Sequence, residues 1–334
     1  MALEHGGRLR SAATRYGIPE ADWLDLSTGI NPDGWPVPAI PAELWQGLPQ
    51  DDDDLIEAAC DFYATTLLLP VAGSQAAIQT LPALRAPGSV ALAYPAYAEH
   101  EHAWQAHGHT IIRAADLLQS EADVVVIVNP NNPTGRRYDV AGLLALHERQ
   151  AERGGWLVVD EAFMDATPEH SLAPFCPREG LIVLRSVGKF FGLAGARVGF
   201  VLAQQDILNR LSEKLGPWPI AAPSRFVATQ ALRDTLWQQG TRDALLAAGI
   251  RLGMLLTRHG LTPAGSNCLF QWVRSDDAAG VHEKLAQQGI LTRLFDEPAS
   301  LRFGLPYGEE NWARLDAALI NCRSGFNPTS GHPR

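Results

Sequence analysis

Lysine is the charged residue this chain has least of. Of 27 basic side chains only three are lysine (Lys189, Lys214 and Lys284), and the rest are arginine. Basic charge is also outweighed: 37 acidic residues leave a formal net charge of −10. No basic stripe interrupts that balance, which argues against a nucleic-acid partner. Cysteine is scarce, with Cys60, Cys176, Cys268 and Cys322 scattered and no C-x-x-C pair. Such usage fits a cytoplasmic protein with free thiols, and neither a disulfide scaffold nor a zinc site. No apolar run is long enough to span a membrane, and MALEHGGRLR lacks the apolar core of a signal peptide. What is present is ordinary: 334 residues, 46% hydrophobic and 19% charged, with length for about two domains.

Lys214 and Lys284 each follow a glutamate in a helical pattern and read as solvated helix faces. Lys189 differs. It lies in GLIVLRSVGKFFGLAGARVGFVLA, residues 180–203, between two apolar runs that read as buried strands, Leu181 to Leu184 and Val198 to Leu202. Glycine and phenylalanine flank it. Taking an ammonium out of water lowers its pKa or demands a partner, and a lysine so placed is suited either to pairing with an acid or to forming a Schiff base with a carbonyl.

From residue 67 to 203 apolar runs alternate with helical stretches, which predicts an α/β domain with a mostly parallel sheet. Such sheets bind ligands at the carboxyl ends of their strands. The polar and glycine-rich signals fall at those ends: Gly73-Ser74-Gln75, the run NPNNPTG at 129–135, Asp160 in VVDEAF, and Ser186 to Lys189. Ser74 at a strand-to-helix turn, with Ser186 and Arg197, could hold a phosphate near the lysine. Tyr97 offers an aromatic face or a core side chain. The acid run Asp51 to Asp54 reads as a solvated helix cap. His100, His102, His107 and His109 read as surface histidines ending a helix, with no metal site expected. The division expected is an N-terminal arm at 1–50 serving the active site and small domain, a large cofactor-binding domain at 51–235, a smaller α+β domain at 236–325, and a frayed tail at 326–334.

In this order and spacing NPNNPTG, DEAF, S-x-x-K and G-x-x-G-x-R resemble the fold-type I pyridoxal 5'-phosphate (PLP) enzymes related to aspartate aminotransferase, over nearly the whole chain. The resemblance implies that Lys189 bonds the cofactor and later moves protons. It also implies that Asp160 pairs with the ring nitrogen, Asn132 with the phenolic oxygen, and Tyr97 with the ring face, while Ser74, Gln75, Ser186 and Arg197 hold the phosphate. Phe163 stands where the family often has tyrosine, so one hydrogen bond to the phenolic oxygen should be missing. Leu48-Pro49-Gln50 replaces a Y-P-D motif that sends a tyrosine to a partner subunit; a homodimer is still implied.

Two branches of the family are most similar, the threonine-phosphate decarboxylases and the histidinol-phosphate aminotransferases. HGG at 5–7 and LSTGINPDG at 26–34 resemble the former. That implies decarboxylation of L-threonine O-3-phosphate to (R)-1-aminopropan-2-yl phosphate, for cobalamin synthesis, with a histidinol-phosphate-type aminotransferase as the alternative. Arg302 matches the arginine that grips the substrate carboxylate. Arg293 matches one that contacts substrate phosphate, with His5 beside it, and Asn31 is expected near the carboxylate.

Overall fold

The computed structural model describes residues 5–323, so the expected tail at 326–334 lies outside the described residues. Two compact units result, Asp33–Leu246 and the described part of Met1–Pro32 with Ala247–Arg334. The boundary near residue 246 falls inside one continuous helix, Thr235–Arg258.

The smaller unit opens with α1 (Leu9–Tyr16) and strand β1 (Leu24–Asp25). In α1 Leu9, Ala12, Ala13 and Tyr16 recur at helical spacing and bury one face on Trp23, Ile18, Ala286 and Leu291. Gly17 ends the helix at φ 68°, the left-handed conformation that glycine adopts without penalty.

The larger unit holds helices α2 (Leu55–Tyr63), α3 (Ser74–Thr80) and α4 (Ala98–Ala106), further helices, and strands β2 (Leu69–Val71), β3 (Ser89–Leu92), β4 (Thr110–Arg113), β5 (Val124–Val128), β6 (Trp156–Asp160), β7 (Leu181–Ser186) and β8 (Gly199–Leu202). They form one sheet in the order β2-β8-β7-β6-β5-β3-β4. Pairing is parallel except on both edges of β8. This is the α/β class expected. Every residue of β5, β6 and β7 is buried, as in sheets covered on both faces. Each fully buried Val, Leu or Ile there contributes roughly 1.5–3 kcal/mol relative to exposure.

Back in the smaller unit, the remaining strands are β9 (Gly265–Asn267), β10 (Phe270–Arg274), β11 (Ile290–Leu291), β12 (Arg293–Phe295) and β13 (Ser300–Gly304). Four make an antiparallel sheet, β12-β13-β10-β9, and β1 pairs in parallel with β11. Strand β13 is central and wholly buried.

Candidate active site

Register brings the expected residues of the larger unit together. Val128, which ends β5, is opposite Asp160 of β6, and Asp160 is opposite Leu184 of β7. On the next edge Gly199 is opposite both Ser186 and Val71. A side chain at 199 would meet the Ser74 backbone nitrogen at 2.4 Å, so only glycine lets the β2–α3 turn lie against β7. Lys189, Asp160, Asn132 and Tyr97 consequently line one cavity with Ser74, Gln75, Ser186 and Arg197.

The asparagine run illustrates how one amide reaches that cavity. Asn129 exchanges two bonds with the Tyr138 backbone, and Asn131 donates to the Pro95 carbonyl and to Thr134 Oγ1. Both hold the turn, and Asn132 is the one that lines the cavity. Gly73 adopts φ 72°, and a methyl there would sit 2.7 Å from Arg197 Nη2. The guanidinium therefore lies directly over the turn that begins α3. Arg197 itself is held at φ 53°, ψ 47°, a left-handed conformation that costs a non-glycine residue about 1–2 kcal/mol. Ser186 Oγ accepts from the Gly188 N–H at 3.2 Å.

Gln75 is committed elsewhere by its side chain. It donates to Glu99 at 2.7 Å and accepts from the Tyr97 hydroxyl at 3.1 Å, which helps set the tyrosine's orientation. Phe163 also lines the cavity, with its ring centroid 5.4 Å from Lys189 Nζ.

This donor set fits the group the resemblance implies. An amine suits an aldehyde, a carboxylate suits a protonated ring nitrogen, and an amide suits a phenolic oxygen. Two hydroxyls and a guanidinium suit a phosphate dianion.

Two expectations are corrected here. His100 and His109 are not surface histidines: they are 2% and 6% exposed, whereas His102 and His107 are exposed. His109 packs edge-on against Trp104, and His100 Nε2 lies 2.9 Å from Asp160 Oδ2. With its proton on Nε2 the ring donates to that carboxylate and orients it, while Asp160 Oδ1 accepts from the Ala162 N–H. The only signal in the sequence was position, since His100 follows Tyr97 by three and so shares a helix face with its neighbourhood. The acid run at 51–54 is likewise more than a solvated cap. Arg225 is 2% exposed and takes Asp53 through two bonds of 2.7 and 2.6 Å, with Asp51 at 3.3 Å.

Behind β6 a second polar cluster was not foreseen. Arg185 is buried and pairs with Glu161 and Asp165. Ser171 donates to Glu161, the Leu172 N–H bonds the same carboxylate at 2.7 Å, and Arg185 lies 4.5 Å from the Tyr63 ring centroid. Burial holds the Asp165 carboxyl above its ordinary value, against the pull of Arg185.

In the smaller unit, Arg293 on β12 is the direct cross-strand neighbour of Arg302 on β13. Directly opposed residues on neighbouring strands share a sheet face, and like charges so placed repel. Arg302 is buried and Nη2 donates to the Ser27 carbonyl at 2.7 Å. Arg293 lines a concavity with His5, Ser27 and Thr292. His282, on the same concavity, bonds Thr292 Oγ1 at 2.8 Å, and burial holds its pKa below the ordinary value. Asn31 is buried.

The family model for class I and II aminotransferases matches residues 22–319. A threonine-phosphate decarboxylase from Pseudomonas aeruginosa is 56% identical over 325 residues, covering 96% of this chain and 98% of that protein. One from a Sinorhizobium species is 44% identical over 332 residues, covering 95% and 97%. Among solved structures, the histidinol-phosphate aminotransferase of Sinorhizobium meliloti in complex with pyridoxal-5'-phosphate superposes with a TM-score of 0.83, covering 97% of this chain and 99% of that one. At 19% identity that likeness is one of fold.

Proposed function

The chain belongs to the class I and II aminotransferase family, and from that premise we propose that it decarboxylates L-threonine O-3-phosphate with PLP as its cofactor. The product is (R)-1-aminopropan-2-yl phosphate, which places the reaction in cobalamin synthesis. In balance, one substrate takes up one proton and gives one carbon dioxide and one amine.

The residues that hold the cofactor in this reading are Lys189 at the aldehyde carbon, Asp160 at the ring nitrogen and Asn132 at the phenolic oxygen. Tyr97 covers the ring face, and Ser74, Gln75, Ser186 and Arg197 hold the phosphate. When bound, the cofactor supplies a ring that accepts the electron pair released as the bond from Cα to the carboxylate breaks. The chain's own groups do the rest. Asp160, oriented by His100, keeps a proton on the ring nitrogen. Arg302 binds the carboxylate with Asn31 nearby, and Arg293 with His5 binds the substrate phosphate. Lys189 Nζ returns a proton to Cα after carbon dioxide leaves.

One observation carries the substrate reading: two arginines directly opposed on β12 and β13. Two guanidinium groups on neighbouring strands suit a ligand with two anionic groups, which a phosphorylated amino acid supplies. A homodimer is part of the proposal, supported by the large apolar side chains left in water at Trp45 (67% exposed), Leu48 (66%) and Trp218 (52%). Cytoplasmic location is supported by four cysteines that are all free thiols. Among the described residues no helix is long and apolar enough to cross a membrane.

The deciding experiment supplies L-threonine O-3-phosphate to the PLP-loaded protein without any keto acid. Carbon dioxide release in step with amine formation is expected. No gas, together with amino transfer from histidinol phosphate to 2-oxoglutarate, would overturn the reading.

A further inference from the structure

Ser27 is 2% exposed, and three parts of the smaller unit meet on it. Its hydroxyl donates to Asp25 Oδ1 at 2.6 Å, and the same oxygen accepts the Ser27 N–H at 2.8 Å. A hydroxyl has one proton to give. With that proton committed to Asp25, the remaining capacity of Oγ is to accept, and the Gly7 N–H donates to it at 2.8 Å. The Ser27 carbonyl meanwhile accepts from Arg302 Nη2 at 2.7 Å. Gly6 lies flush on that carbonyl, where a methyl group would come within 2.3 Å of the oxygen.

The segment carrying Ser27 is itself immobilised. The Leu26 N–H bonds the Leu291 carbonyl at 2.8 Å, just beyond the β1–β11 pair, and the Gly304 N–H at the end of β13 bonds the Leu26 carbonyl at 2.7 Å. A turn stabilised by Asp25 needs only the bond to the Ser27 N–H. The serine hydroxyl adds something the turn does not require: a link across 20 residues of chain to the arm that carries His5.

We propose that Ser27 is a positioning residue that ties the N-terminal arm to the arginine strand, so that His5 and Arg293 meet the phosphate of a substrate whose carboxylate Arg302 holds. This rests on the function proposed above and names how its substrate is measured from one anion to the other. The two halves of the tie are chemically separable. Arg302 uses a backbone carbonyl, which survives replacement of the side chain, while the arm uses the hydroxyl, which does not. Removing the hydroxyl therefore loosens the phosphate end and spares the carboxylate end.

Two variants of the PLP-loaded protein test this from opposite sides of the contact. Ser27→Ala removes the acceptor, and Gly6→Ala pushes the arm off an intact Ser27. Each should weaken L-threonine O-3-phosphate about tenfold in KM, the scale of one lost hydrogen bond, with kcat within about threefold of wild type. In Ser27→Ala, binding of L-threonine, which lacks the phosphate, should stay within about twofold, read as an inhibition constant; Gly6→Ala, whose methyl also presses on the carbonyl that Arg302 uses, is judged by exchange in the arm. Without substrate, amide hydrogen exchange in a peptide covering residues 5–16 should accelerate in both variants, while residues 300–304 keep their protection. Equal weakening of both ligands in Ser27→Ala would overturn the proposal as general damage to the site. Unchanged exchange in the arm would overturn the tether itself, whichever substrate the enzyme takes. Failure of the wild-type protein to accept L-threonine O-3-phosphate would fall on the proposed function instead.

Discussion

Two polar clusters flank the end of β6, and consecutive residues assign the chain to each. Asp160 lines the cavity with Lys189 and is bonded from behind by His100; Glu161 joins the buried cluster with Arg185, Ser171 and Asp165. The first gathers an amine, a carboxylate, an amide, hydroxyls and a guanidinium around open space, a donor set that suits a phosphorylated ring ligand. In the second, opposite charges and the hydroxyl are spent mainly on one another in the interior. Burying charges is expensive, and the cost is offset only by close pairing. The comparison sets a lined cavity, where the proposed chemistry would take place, against a cluster whose charges pair with one another between β6 and β7.

Variants on either side should break function and fold apart. The largest effect is expected for Lys189→Ala: turnover should fall by about 10⁴-fold or more, since both the covalent link and the proton transfer are lost. Its melting temperature should stay within about 3 °C of wild type. Turnover near the wild-type rate, measured as carbon dioxide release, would remove Lys189 from the chemistry.

Arg185→Leu should do the reverse. It leaves Glu161 and Asp165 buried without their partner, at a cost of about 3–5 kcal/mol in a urea titration. The loss should grow with pH. Burial raises the folded-state pKa of Asp165, so that carboxyl favours the folded chain below its unfolded value and loses this advantage as pH rises through the folded value. Removing the guanidinium exposes that slope. A urea midpoint unchanged from acid to neutral pH would show that the cluster does not hold the strands.

The sequence revealed the cavity better than what stands behind it, for a physical reason. Lys189, Asp160, Asn132, Ser186 and Ser74 follow or end apolar strands, and a parallel sheet collects such positions at one edge. Their convergence follows from strand order alone. His100 contacts Asp160 across 60 residues of chain, and Arg185 reaches Glu161 across 24. Residue type does not mark such partners, and the spacing of three from Tyr97 to His100 gives a shared helix face without naming Asp160. His100 was masked by its neighbours, because four histidines near a helix end look alike until burial distinguishes two of them. Asp53 was hidden similarly within a run of four acids, although its partner Arg225 is buried. Ser27 lies in a loop rich in turn-forming residues, where a hydroxyl reads as local.

The rarity of lysine makes the central claim directly measurable. Borohydride reduction of the PLP-loaded protein, followed by digestion and mass spectrometry, should place a single pyridoxyl group on the peptide containing Lys189. A label on Lys214 or Lys284, or no label in a protein that had taken up PLP, would contradict the account.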